Sequence, residues 1–161
     1  MKWFYIPCFL SVAALAGCST VRDVPQQAAF RVSLTPGAET PPCPSAGAGT
    51  LGAAQITIPG DGASIQASVT YEGLSGPVTA AHIHWGSATA PGPVVLSFGD
   101  SLGSPGTHYF AKSFVAADYV AASGAPPDFA AFVTALKAGG VAYVNVHTAA
   151  CKGGEIRGEI Q

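Results

Sequence analysis

Charge is scarce in this chain: only 10% of its 161 residues are Asp, Glu, Lys or Arg, and the formal charge is −2. Neither sign forms a run. That removes the electrostatic footprint needed to hold a phosphate backbone, so nucleic acid is excluded as a partner. Long apolar runs are missing as well, since the stretch Trp3 to Ala16 is too short for a good membrane span. There is no Gly-x-Ser-x-Gly elbow, no phosphate-cradling glycine loop and no Cys-x-x-Cys. The acidic residues are too scattered to nominate a glycosidase pair. Tryptophan is limited to Trp3 and Trp85, and Trp85 lacks the flanking cysteines of an immunoglobulin-type sandwich. What is abundant is glycine and proline, 20 and 13 residues, a composition suited to many short strands joined by tight turns.

Lys2, the apolar stretch and Leu15-Ala16-Gly17-Cys18 together resemble the signal and lipobox of a bacterial lipoprotein precursor. The resemblance implies removal of residues 1–17, lipidation of Cys18 and attachment to a membrane by several acyl chains. An ordinary secretory signal shares the same apolar-then-small pattern and is the alternative. Ser19 is similar to the residue that follows the cysteine in lipoproteins sorted to an outer membrane. The expected location is therefore the bacterial envelope, on the outer membrane facing the periplasm or the cell surface. Residues 18–28 read as a lipidated N-terminus and tether, and residues 29–161 as one domain.

Once Cys8 leaves and Cys18 takes lipid, Cys43 and Cys151 remain. An even pair in an oxidising compartment reads as a disulfide, with free thiols or metal thiolates as the alternative.

Period-two patterning predicts strands at Ala29–Thr35, Leu51–Ile58, Ser64–Tyr71, Val78–Trp85, Val94–Phe98, His108–Val115, Val141–His147 and Gly154–Ile160. Pro59-Gly60-Asp61-Gly62 is the expected hairpin turn. One helix is predicted after Asp128 as N-cap, with Phe129, Phe132, Val133 and Leu136 on one face and Gly139-Gly140 as its stop. This pattern predicts an all-β fold, a Greek-key β-sandwich or barrel of about eight strands with a short helix before the last two.

His82 and His84, one residue apart in Ala81-His82-Ile83-His84-Trp85, project to the same side of a strand. His147 lies opposite Ala142, Val144 and Val146 in its own strand. If those apolar sets face the core, all three imidazoles look outward and can form one metal site provided the strands are neighbours. Imidazoles without thiolate admit copper or zinc, and the order of affinities favours copper. The competing account is three hydrogen-bonded histidines with no ion. His108 has no motif around it and is read as incidental. In the last strand Glu155, Arg157 and Glu159 share a face, favoured here as a solvated ion-pair ladder. A sharper reading sets Arg157 beside the His147 strand as an outer support that attracts an anion or orients a ligand.

Glu39-Thr40-Pro41-Pro42, then Ala80 to His84 with Gly92-Pro93-Val94-Val95, then Tyr143 to Thr148, then Gly154 to Gly158 occur in the order seen in CHRD domains, the modules named after chordin. The resemblance covers roughly residues 29–161 and implies a β-rich extracellular domain. The histidine arrangement is also similar to the copper ligands of copper–zinc superoxide dismutases, which are β-sandwiches. That resemblance implies copper on His82, His84 and His147, and matches that family's disulfide and active-site arginine loosely with Cys43–Cys151 and Arg157. No histidine lies between Trp85 and Thr107, so a zinc subsite is not expected. The sequence thus points to a lipid-anchored domain holding copper for storage, delivery or buffering. The alternatives are a copper-only dismutase-like redox enzyme and a metal-free structural or adhesive domain. No protein partner is identifiable.

Overall fold

The computed structural model describes residues 25–87, 89–100, 102 and 108–161. The signal-like segment, Cys18 and most of the tether lie outside them. Among the described residues the chain forms β1 (Ala28–Leu34), β2 (Leu51–Ile58), β3 (Ile65–Glu72), β4 (Val78–Trp85), β5 (Val94–Asp100), β6 (Tyr109–Phe114), α1 (Phe129–Lys137), β7 (Ala142–Thr148) and β8 (Ile156–Ile160). They make two antiparallel four-stranded sheets, ordered β1-β2-β3-β6 and β5-β4-β7-β8. The architecture is a β-sandwich; of the two forms expected, the closed barrel is not the one adopted.

Alternation builds the first sheet. In β2 the residues Gly52, Ala54, Ile56 and Ile58 are buried, while Leu51, Ala53 and Gln55 are exposed. β3 repeats the pattern, with Ile65, Ala67, Val69 and Tyr71 inward. Such a sheet has one face on the core and one in water. The inward sets of the two sheets meet in a single cluster that includes Leu34, Ile56, Val69, Ile83, Leu96, Val144, Val146 and Ile156.

The helix covers one end of this core. Asp128 Oδ1 accepts from Ala131 N at 2.8 Å, the side-chain cap its sequence position predicts. Phe129, Phe132, Val133 and Leu136 are all buried, and Trp85 meets Phe132 edge-on at 5.9 Å. The last strand starts at Ile156 rather than Gly154. Residues 151–154 are instead consumed by a turn in which Gly154 N–H donates to Cys151 O at 3.1 Å.

The second sheet departs from alternation. In β7 every residue except His147 is buried, and in β8 every residue except Glu159. Its inner face carries Val144 and Val146 as expected, but its outer face is roofed by three pieces of chain. These are the proline-rich strap of residues 39–44, the described loop residues 86–87 and 89–92, and the β7–β8 turn. The disulfide Cys43–Cys151 joins the strap to the turn across a sequence separation of 108. Thr35 and Arg157 exchange backbone hydrogen bonds of 2.9 and 3.1 Å, tying β1 to β8 at this side of the sandwich.

Two expectations change under this roof. Outward does not mean solvent-exposed, because His84 is only 9% accessible and His82 and His147 are half-buried. Nor do Glu155 and Arg157 sit in a solvated ladder: both are buried, and Glu159 alone is partly accessible. The sequence pattern gives a strand's phase but not what lies above it.

Candidate metal centre

Register brings the histidines together. β4 and β7 are antiparallel neighbours, with His82 opposite Asn145, His84 opposite Tyr143 and Ala80 opposite His147. The pairing of β4 with β5 is irregular on both sides of the His82–Ile83 pair, the kind of local re-aiming found beside functional sites. One ring nitrogen from each of His82, His84 and His147 lies within 4.8 Å of the others. His82 Nδ1 and His147 Nε2 are 3.0 Å apart. That spacing suits two donors meeting one ion at about 2.0 Å each.

The neighbours fix which nitrogen is free. A backbone carbonyl only accepts, so His84 Nδ1 donates to Gly92 O at 2.8 Å and leaves a lone pair on Nε2. That Nε2 is buried and has no hydrogen-bond partner. His147 Nδ1 donates to Lys152 O at 3.0 Å, again leaving the lone pair on Nε2. His82 Nδ1–H is then the donor to His147 Nε2 in the metal-free protein. Shifting that proton to His82 Nε2 completes a set of three lone pairs without releasing a proton. Carbonyl partners of this kind set tautomer and ring orientation at metal sites.

Electrostatics keep the three rings neutral. Burial, reinforced by His147 and His84, pushes the His82 pKa down to about 4, and Asp100 opposes only weakly. Burial likewise lowers His84, against the pull of its Gly92 hydrogen bond, and lowers His147 against that of Lys152. Neutral imidazole is the ligating form.

Tyr143 organises the other side. Its ring stacks on His84 with centroids 4.6 Å apart and planes 7° apart, and the Arg157 guanidinium carbon lies 3.4 Å from its centroid. Its hydroxyl accepts from Gly92 N at 3.0 Å, holding the carbonyl that orients His84. Gly92 must be glycine, because a Cβ there would fall 1.9 Å from Trp85 O. Arg157 Nη2 donates to Ser87 O and more distantly to Ala90 O, pinning the 86–92 loop. Asn145 Oδ1 also stands 3.1 Å from His147 Nε2.

A cleft of about 490 Å³ adjoins this cluster, walled by Pro41, Pro42 and Pro91 and floored by His84, Asn145 and His147. Glu39 lies in its wall, packed over Gly154, whose φ of +127° and lack of a Cβ make room for the carboxylate. Burial raises the Glu39 carboxyl to about 7, although Arg157 and the Thr40 amide pull the other way. Behind the cleft, Glu155 accepts from Ser75 N at 2.7 Å, Ser75 Oγ at 2.6 Å and Thr148 Oγ1 at 2.6 Å. Thr148 Oγ1 in turn accepts from Cys151 N at 3.2 Å.

Of the residues singled out from sequence, His82, His84, His147 and Arg157 gather here, and Cys43 and Cys151 close the roof. His108 is exposed at the far sheet, edge-on to Tyr71 at 5.8 Å and outside the cluster. Cys18 lies outside the described residues. Glu39, Tyr143 and Glu155 were not nominated as site residues. Glu39 carries a readable signal, a lone carboxylate inside an apolar, proline-rich segment. No curated protein and no solved structure matches the chain. A family model does, the CHRD domain over residues 30–160, and with nearly all of the sandwich inside that match the chain belongs to the CHRD-domain family.

Proposed function

We propose that this CHRD domain is a copper-binding module of the bacterial envelope, anchored through lipid on Cys18 and serving storage, delivery or buffering. The observation that carries the metal reading is His84 Nε2, a buried nitrogen with no hydrogen-bond partner, on a ring that brings one nitrogen within 4.8 Å of a ring nitrogen of both His82 and His147. A buried polar atom left unsatisfied costs about 1–3 kcal/mol, and a bound cation removes that cost. All-imidazole donors favour copper over zinc. The test is titration of the metal-free protein with copper. Wild type should take up one equivalent, His→Ala at 82, 84 or 147 should weaken binding by at least about a hundredfold, and His108→Ala should not change it. Equal binding by wild type and the triple variant would favour the metal-free structural reading.

A copper-dependent redox activity is the second reading. It is favoured by the cleft, whose lining includes two of the three histidines, His84 and His147. Copper-dependent superoxide consumption that disappears in His84→Ala would support it. For the anchor, mass spectrometry of membrane fractions should find an acylated N-terminal Cys18, and Cys18→Ser should release the domain or leave it unprocessed.

A further inference from the structure

Among the described residues, three buried side-chain polar atoms have no hydrogen-bond partner: Glu39 Oε1, His84 Nε2 and Arg157 Nε. All three residues line the same cleft. Native proteins leave few such groups, and three converging on one cavity mark a place built for something else. The histidine is accounted for by the metal reading. Glu39 and Arg157 are not.

Arg157 is 2% exposed and Glu39 5%. The guanidinium is held by carbonyls of the 86–92 loop and by the Tyr143 ring, and it forms no salt bridge among the described residues. A buried cation without a salt-bridge partner is costly, and its Nε–H is a donor awaiting an acceptor. The Glu39 carboxyl, raised to about 7 by burial, keeps its proton for much of the time near neutrality and is then a second donor. Lys152 adds positive charge to the lining. Pro41, Pro42 and Tyr143 offer apolar surface beside these donors. The volume falls within the range of small-molecule sites.

We propose that this cleft binds a small organic carboxylate, its two oxygens taken by Arg157 and Glu39 and its apolar part lying against Pro41, Pro42 and Tyr143. A planar carboxylate matches the guanidinium fork, and a carboxylic acid on the other side supplies the second short hydrogen bond. The site requires no metal, so its failure leaves copper binding by the histidines untouched, and the reverse also holds.

The test uses intact, metal-free protein titrated with benzoate, followed by amide NMR shifts, with benzyl alcohol as the size-matched neutral probe. Saturable shifts at Thr40, Tyr143 and Gly154 with benzoate and none with benzyl alcohol are expected. Arg157→Gln should weaken binding about tenfold or more. Should that variant fail to fold, Glu39→Gln and Glu39→Leu decide: glutamine keeps a donor and should stay within about threefold of wild type, whereas leucine should lose about tenfold. No saturable binding, equal binding of both probes, shifts confined to other surfaces, or equal affinities in the glutamine and leucine variants would each overturn the proposal.

Discussion

The two sheets of this sandwich obey different rules. In β1-β2-β3-β6 the outer residues alternate with the core residues and meet water. In β5-β4-β7-β8 the outer residues of β7 and β8 are buried nearly as well as the inner ones. The first sheet is a wall; the second is a floor with a roof over it. Side chains between floor and roof are shielded from water yet not packed in the apolar core, the environment in which imidazoles stay neutral and a carboxyl keeps its proton. On the alternating sheet the described outward residues of β2 and β3 are exposed or half-exposed instead.

Removing the roof should have the largest effect. Cys43→Ser is expected to cost about 2–5 kcal/mol in denaturant unfolding, since the cross-link closes a long loop. If the roof is what distinguishes the sheets, this variant should speed amide exchange in β7 and β8 more than in β2 and β3. Equal acceleration in both would erase the contrast.

Next comes the support beneath. Glu155→Ala strands the Ser75 amide and two hydroxyls in a buried setting, and about 2–3 kcal/mol of destabilisation is expected by the same unfolding measurement. Glu72→Ala, at an exposed position of β3, should stay within about 0.5 kcal/mol.

Acid–base behaviour gives a third effect, on the order of 2 kcal/mol. The folded Glu39 carboxyl sits at about 7 against an ordinary 4.5. Below 4.5 both folded and unfolded forms are protonated and nothing changes. As pH rises from 4.5 to 7 the unfolded chain loses the proton first, so stability falls, and the loss is complete above 7. The histidines act in the opposite sense, because their lowered values favour the folded state as pH rises. The measurement is therefore the difference between wild type and Glu39→Gln in urea midpoints from pH 5 to 8. The variant should gain relative stability with rising pH, and a flat difference would remove Glu39 from the list of perturbed groups.

The smallest effect is expected on the wall. Gln55→Ala, on the exposed face of β2, should change stability by less than about 0.5 kcal/mol and leave copper titration unaltered.

Much of the floor was legible in the sequence because it depends on local pattern. Period two placed Ile83 and Val144 inward and set the three histidines on the opposite face; the helix cap at Asp128 and its buried face followed from spacing. That β4 and β7 are neighbours was not legible, since pairing of strands 65 residues apart leaves no mark on either one. The roof was invisible for a related reason. Glu155 and Arg157 alternate with isoleucines as any half-wet strand would, and only the roofing segments, remote in sequence, make their face dry. Tyr143 and Glu39 were missed on the same account, each gaining its role from a segment remote in sequence.

The β4–β7 register also dictates an order of events. Two of the histidines sit on one strand and the third on another that is synthesised only after β5, β6 and α1. Before β7 has been made, the chain offers only the His82–His84 pair. The complete triad exists only once the last hairpin has docked beside β4. A site built from these three histidines therefore cannot form before the C-terminal part of the domain has folded.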